Sequence, residues 1–97
     1  MATVVHLWLV TYDIRSDRVR NKIADVLEGW GERVQYSVFE CRLRETDVPK
    51  LSDRLKKVLR TKENGSVRMY RVCARCAAKS VGFGDIEPPD EEVAIVR

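Results

Sequence analysis

The chain has 97 residues, of which 44% are apolar and 34% are charged, a balance that is typical of one small globular domain and excludes a disordered chain or a coiled coil. Its formal net charge is +3, but residues 1–84 hold 17 Lys and Arg against 10 Asp and Glu, whereas residues 85–97 hold five acids and only Arg97. A basic body of this kind suggests a polyanionic partner, although a solvated charged surface explains so small a net charge as well.

The first predicted element is a strand over residues 3–12, TVVHLWLVTY. It is rich in β-branched and aromatic residues and shows no clean alternation, which predicts a central strand covered on both faces. Ser16 then offers a helix N-cap, with Asp17 in the first turn. The helix ends near Gly29 and Gly31. It carries one apolar stripe, which consists of Val19, Ile23, Val26, Leu27 and Trp30.

The next segment, ERVQYSVFECRL at 32–43, has strand character but exceeds the length of a typical strand. We therefore expect a tight reversal near Tyr36–Ser37. A second helix follows, capped by Thr46 or Asp47, with Pro49 in its first turn, where no N–H is missed. Its apolar stripe consists of Val48, Leu51, Leu55, Val58 and Leu59.

The remaining sequence predicts two further strands. Asn64-Gly65 signals a turn before the strand VRMYRVC at 67–73. A connection rich in Gly, Pro and acidic residues, 77–92, separates this strand from VAIVR at 93–97, which is short and apolar.

This order of elements predicts an α+β fold, a ferredoxin-like βαββαβ sandwich with both helices on one sheet face and an additional C-terminal strand. Because the first strand is apolar on both sides, a second copy of the chain is the economical cover for the other face, which predicts a homodimer. Residues 1–84 would form the ferredoxin-like domain. Residues 85–97 would add an acidic connection and a strand to the same domain or to the dimer interface.

Asp13 stands alone at the end of the apolar strand, directly before the basic start of the helix. An aspartate in this place commonly bonds backbone N–H groups of a turn, and the local sequence by itself favours that structural role. The alternative is a ligand for a hard cation, since Mg²⁺ takes oxygen ligands and keeps several waters, so that one or two carboxylates suffice. Two copies related by a two-fold axis would present two carboxylates.

Five basic residues follow Asp13 on the helix and the next strand. They are Arg15, Arg18, Arg20, Lys22 and Arg33. Phosphate contacts from such residues would bind nucleic acid irrespective of its sequence. A solvated helix face, with ion pairs to acids on the same helix, explains the same pattern about as well.

Cys73 and Cys76 form a C-x-x-C pair, which supplies half of the ligands of a usual structural zinc site. Cys41 and His6 are the remaining candidate ligands, but both fall in predicted strands and nothing in the sequence brings them together. A thioredoxin-like pair opens a helix after a strand, whereas this pair is predicted to precede a Gly-rich connection. The favoured interpretation is therefore that Cys73 and Cys76 are small residues at the end of a strand, without a metal or redox role.

The chain carries no signal that directs it to a membrane or out of the cell. The longest apolar run, near residues 4–10, is far too short to span a bilayer, and the N-terminus lacks a signal-peptide pattern. Three cysteines, an odd number, fit a reducing cytoplasm better than a disulfide framework. We expect a cytoplasmic protein without a membrane partner.

Several motifs become specific when they are taken together and in order. The strand ends in Tyr12-Asp13-Ile14, the helix carries Arg20 and Lys22, and GERVQYSVFE follows from Gly31 to Glu40. In this order and spacing the chain resembles the small CRISPR-associated endoribonuclease family. The similarity extends through SVRMYRVCARC, which ends at Cys76.

The resemblance implies a homodimer that acts in the acquisition of new CRISPR spacers alongside the CRISPR integrase. It also implies a Mg²⁺-dependent endonuclease that cleaves RNA or double-stranded DNA, in which Asp13 of each subunit is the catalytic, metal-binding carboxylate. The positions that match residues near the active cleft of the family are Tyr12, Arg20, Lys22, Arg33 and Phe39.

Two other functions compete with a nuclease. A non-catalytic dimeric adaptor that holds DNA between integrase subunits would use the same basic residues but would not need the carboxylate. A metal-handling module built on the C-x-x-C pair is the weaker alternative.

Overall fold

The computed structural model describes residues 4–84. A short 3₁₀ turn, Lys62–Asn64, precedes the last strand of this range. The strands and α-helices in chain order are β1 (Val5–Ile14), α1 (Asp17–Glu28), β2 (Gly31–Gln35), β3 (Val38–Arg44), α2 (Asp47–Leu59), β4 (Gly65–Val72) and α3 (Ala74–Ala78).

The four strands form one sheet in the order β2-β3-β1-β4, with every neighbouring pair antiparallel. The central strand β1 pairs with β3 from Val5 opposite Arg44 to Thr11 opposite Val38. It pairs on its other side with β4, ending at Ile14 opposite Gly65. This order arises when two interleaved βαβ units share one sheet, so the predicted α+β, ferredoxin-like architecture is confirmed.

The core lies between the helices and one face of the sheet. Side chains alternate along a strand, and Val10, Tyr12 and Ile14 of β1 are buried on the helix side. Every member of the two predicted helical stripes is buried or packs against this core. The other buried members are Ile23, Ala24, Leu27, Phe39, Cys41, Leu43, Leu51 and Leu55.

The opposite sheet face, which we call the open face, is not covered by α1 or α2, whose apolar stripes pack on the core side. Leu7, Leu9 and Thr11 of β1 lie on it and are half-buried, and Asp13 is exposed. The expectation that β1 is central is therefore confirmed. The prediction that both faces of β1 are covered depends on a second chain, because a single chain leaves the open face partly accessible.

The predicted caps differ in their outcome. Ser16 caps α1 as predicted, since its hydroxyl accepts a hydrogen bond from the Val19 N–H at 3.3 Å. Thr46 occupies the N-cap position of α2, but its side chain makes no capping bond. Asp47 bonds instead to Arg44, at the end of β3.

Two boundaries also differ from the sequence-based expectation. The first strand continues two residues past the predicted segment 3–12 and ends at Ile14, so Asp13 lies at its C-terminal edge as predicted. The C-x-x-C pair opens α3, where the sequence predicted a Gly-rich connection. The predicted strand at 93–97 lies outside the described residues and stays a prediction. No helix within 4–84 is both long enough and apolar enough to cross a membrane.

Candidate active site

Asp13 presents its carboxylate on the open face of the sheet. Its neighbours Tyr12 and Ile14 are buried under the helices, so alternation along β1 directs Asp13 to the other side, where it is exposed. Its partner across the β1–β4 ladder is Ser66, which is also exposed. Solvent and ligands therefore have access to the carboxylate.

The turn before β4 holds the backbone on both sides of Asp13. Gly65 has φ +131°, a conformation that L side chains rarely adopt, and a Cβ atom there would lie 2.0 Å from the Asp13 carbonyl oxygen. The Arg15 N–H donates to the Asn64 carbonyl at 3.2 Å, and its Nη1 donates to the Glu63 carbonyl at 3.0 Å. The backbone around Asp13 is therefore held in place by the turn before β4, and the hydrogen bonds of Arg15 contribute to this.

A cluster of arginines and aromatic rings lies on the helix side of the sheet. The Tyr12 hydroxyl donates to the Tyr36 carbonyl at 3.4 Å. The Arg20 guanidinium lies 5.8 Å from the centroid of the Tyr36 ring, and the Arg33 guanidinium lies 5.3 Å from the centroid of Phe39. Both distances are within the range of cation–π attraction.

Part of this cluster lines a shallow depression between α1 and the β2–β3 hairpin, which we call the arginine pocket. Its lining residues are Tyr12, Arg20, Asn21, Ala24, Arg33 and Tyr36. Two guanidinium groups and a hydroxyl converge here, and such donors suit an anionic ligand.

The electrostatics of the arginine pocket favour hydrogen-bond donation over proton abstraction. Burial raises the pKa of Tyr12, and the neighbouring Arg33 guanidinium only partly opposes this. The hydroxyl therefore stays protonated at neutral pH. A hydrogen bond with Asp17 raises the pKa of Arg20, which keeps its guanidinium charged.

Arg20 is also a structural residue. Its Nη1 donates to the Ile14 carbonyl at 3.1 Å, and its Nη2 forms an ion pair with Asp17. These contacts tie the end of β1 to the first turn of α1 and leave the side chain 22% exposed. Much of its hydrogen-bonding capacity is thus used within the chain.

The other predicted site residues do not lie together with Asp13 or in the arginine pocket. Arg18 and Lys22 are exposed on α1, and neither is paired with an acid within residues 4–84. Phe39 has no exposed surface, so it supports Arg33 and Tyr12 from the core and does not reach a ligand itself.

The sheet therefore separates two groups of predicted residues. Tyr12, Arg20 and Arg33 meet in the arginine pocket, whereas Asp13 lies on the open face. A nucleic acid would have to follow the edge of the sheet to touch both groups.

The residues present fit a weakly coordinated Mg²⁺ ion. No three His, Cys, Asp or Glu side chains of the described part of the chain lie close enough together to hold a metal. Mg²⁺ is nevertheless commonly bound through one or two carboxylates, with waters in its other positions. The exposed Asp13 carboxylate suits such an open site, and a second copy of the open face would supply the second carboxylate.

Two side chains that were not expected from the sequence belong near these groups. Arg68 lies on β4 opposite Thr11, hence on the face of Asp13, and donates to the Tyr70 hydroxyl at 3.2 Å. Tyr36 is 71% exposed at the tip of the β2–β3 hairpin. Alternation in VRMY was the available signal for Arg68, and an aromatic residue in a two-residue turn was the signal for Tyr36.

Comparison with known protein families identifies a match over most of the chain. The family model for CRISPR associated protein Cas2 matches residues 6–80. One similar protein is the CRISPR-associated endoribonuclease Cas2 1 of Chloroflexus aurantiacus, which is 41% identical over 83 residues. These residues cover 86% of this chain and 89% of the relative.

Two solved structures share the fold. Streptococcus pyogenes Cas2 at pH 6.5 is similar with a TM-score of 0.70 and 25% identity, covering 80% of this chain and 99% of the other. A chain of a partial Cas6-RT-Cas1–Cas2 complex is similar with a TM-score of 0.71 and 28% identity, covering 80% of this chain and 90% of the other.

Proposed function

The chain belongs to the CRISPR-associated Cas2 family, and we propose that it acts in the acquisition of new CRISPR spacers as a homodimer with Mg²⁺-dependent endonuclease activity. The family assignment made from the sequence motifs is confirmed. The observation that carries the proposed activity is the position of Asp13, an exposed carboxylate on the open face at the end of the central strand. The integrase and a nucleic acid are its proposed partners.

The proposed cover of the open face is a second copy of the chain. Leu7 and Leu9 give this face an apolar centre. Burial of this apolar centre between two copies would remove it from water, which favours association. Packing two open faces about a two-fold axis would also bring the two Asp13 side chains toward one another.

Mg²⁺ held by the Asp13 carboxylates would polarise a phosphoryl oxygen and lower the pKa of a bound water. The chain itself supplies the rigid strand that positions Asp13. It also supplies cations for the nucleic-acid backbone, with Arg68 on the face of Asp13 and Arg18 and Lys22 along α1. Such contacts bind phosphates without reading bases, which suits both RNA and double-stranded DNA.

The test is Asp13→Asn, with Asp25→Asn on the exposed side of α1 as the matched control. Cleavage of RNA and of duplex DNA is measured with Mg²⁺ and with EDTA. Asp13→Asn should lower the cleavage rate about a hundredfold or more, because a bound metal supplies several kcal/mol of transition-state stabilisation. Asp25→Asn should cleave normally, and sedimentation should show the same dimer for both variants. Wild-type cleavage by repurified Asp13→Asn protein would contradict the assignment.

A non-catalytic adaptor is the second candidate, and it is favoured because no three His, Cys, Asp or Glu side chains within residues 4–84 lie close enough together to hold a metal. In this role the basic dimer holds DNA against the integrase, and the charge of Asp13 is dispensable. Spacer acquisition by the Asp13→Asn variant separates the two functions. Acquisition without cleavage identifies the adaptor, whereas loss of both, with dimer and integrase binding intact, identifies catalysis.

A further inference from the structure

Cys73 and Cys76 form a pair of thiols at the point where β4 leaves the sheet, away from both Asp13 and the arginine pocket. Cys73 directly precedes α3, and its Sγ accepts a hydrogen bond from the Cys76 N–H at 3.3 Å. Both residues are exposed and neither thiol is bonded to another cysteine. Two accessible thiols therefore share one turn of the backbone.

The two thiols differ in acidity. Hydrogen bonds from Cys76, with a smaller effect of Arg75, lower the pKa of Cys73. The neighbouring Cys73 sulfur in turn raises the pKa of Cys76. Cys73 is therefore the more acidic thiol of the pair, and Cys76 is the less acidic one.

Cys41 provides a contrast within the same chain. It is fully buried in the core, and burial raises its pKa to about 11. A buried, protonated thiol is a poor nucleophile. Cys41 is thus an internal reference that should stay unreactive while the protein is folded.

We propose that Cys73 and Cys76 form a thiol–disulfide exchange site for small-molecule disulfides of the glutathione type. The Cys73 thiolate attacks one sulfur of the disulfide, forming a mixed disulfide and releasing the first thiolate. Cys76 then loses its proton and attacks the Cys73 sulfur, which closes the Cys73–Cys76 disulfide and releases the second thiolate. The two protein sulfurs lose two electrons and the small disulfide gains them. One released thiolate takes the proton of Cys76, and the other takes from solvent the proton that Cys73 lost on ionising.

The test uses the reduced full-length protein and glutathione disulfide at neutral pH. Samples are acid-quenched, unfolded in denaturant and alkylated, and each cysteine peptide is measured by mass spectrometry. The wild-type peptide with both cysteines should carry no alkyl group and should weigh two hydrogens less than the reduced, unalkylated peptide, whereas Cys41 should be fully alkylated. Cys76→Ser should accumulate glutathione on Cys73, because the resolving thiol is absent.

Cys73→Ser is the matched variant, with the same loss of one exposed thiol. It should react about tenfold more slowly than Cys76→Ser, because the remaining thiol has the higher pKa. Equal rates for the two variants would overturn the assignment of roles. A wild-type protein that forms no internal disulfide in excess glutathione disulfide would overturn the site. Zinc that co-purifies with the protein and protects both thiols from alkylation would also overturn it, in favour of a metal site.

Discussion

At the scale of single residues, the Asp47 carboxylate links the end of β3 to the start of α2. It accepts hydrogen bonds from the Arg44 backbone N–H at 2.9 Å, from Nε at 3.0 Å and from Nη2 at 3.0 Å. These bonds lower the pKa of Asp47. Because the folded-state pKa lies below the unfolded one, the bonds stabilise the fold fully at neutral pH. This stabilisation is lost as the pH falls below about 4 and through the folded-state pKa.

Asp47→Asn should therefore destabilise the protein at pH 7, and the difference from wild type should be smaller at about pH 3, because the stabilisation declines once the pH falls below the unfolded-state pKa of about 4. Urea unfolding at both pH values measures this difference. Asp53→Asn, an exposed change on the same helix, serves as the control without such a gap. An equal loss of stability by Asp47→Asn at both pH values would refute the electrostatic role.

Residue order predicts part of the candidate site but not its geometry. That Asp13 ends an apolar strand beside cations follows directly from the sequence. The family resemblance placed Tyr12 near the same cleft as Asp13, yet alternation along β1 places the two side chains on opposite sheet faces. The ion pair of Arg20 with Asp17 is one of the same-helix pairs that the charge pattern allowed. The bond from Arg20 to the Ile14 carbonyl arises only when β1 and α1 are packed, so this structural role could not be predicted from charge pattern.

At the scale of elements, the turn into β4 depends on Gly65. Gly65→Ala would strain a backbone with φ +131° and would place Cβ 2.0 Å from the Asp13 carbonyl oxygen. We expect a loss of about 3 kcal/mol or more of unfolding free energy. Gly29→Ala is the matched control, since Gly29 has φ −77° and its Cβ would make an ordinary contact of 3.5 Å. Thermal unfolding that leaves Gly65→Ala as stable as Gly29→Ala would contradict this role.

The long helices were predictable and the short one was not. Both α1 and α2 carry an apolar stripe over three turns or more, and tertiary packing then selects the helix. The five residues of α3 are too few to show a helical period of apolar residues. The Gly-rich segment that follows them predicted a loop. Local hydrogen bonds around Cys73 and Ser80 define this helix, and such bonds leave a weak trace in composition.

At the scale of the whole molecule, the order of elements was sufficient to predict the topology, because few ways exist to interleave two βαβ units in one sheet. The homodimer and the course of residues 85–97 stay predictions. Dimer formation depends on how well two surfaces fit together. The sequence predicts only that one face of the sheet is partly apolar, which is not enough to predict that fit.

The distribution of free cations predicts how the protein binds nucleic acid. Arg18 and Lys22 are exposed on α1, so Arg18→Ala with Lys22→Ala should lower the slope of log affinity against log salt by up to about 2. Lys56→Ala with Lys57→Ala removes the same charge from the last turn of α2 and should change the slope less. Fluorescence anisotropy with labelled duplex DNA measures both slopes. Equal changes for the two pairs would show that only net charge matters.

In the proposed dimer, two open faces pack together and two Asp13 carboxylates share one divalent ion. Mn²⁺ is a hard cation that takes the same oxygen ligands as Mg²⁺, and its free concentration can be followed by electron paramagnetic resonance. Titration of the wild-type protein should show one Mn²⁺ bound per two chains, and titration of Asp13→Asn should show none at that affinity. One ion per chain, or an unchanged stoichiometry in Asp13→Asn, would contradict the shared site.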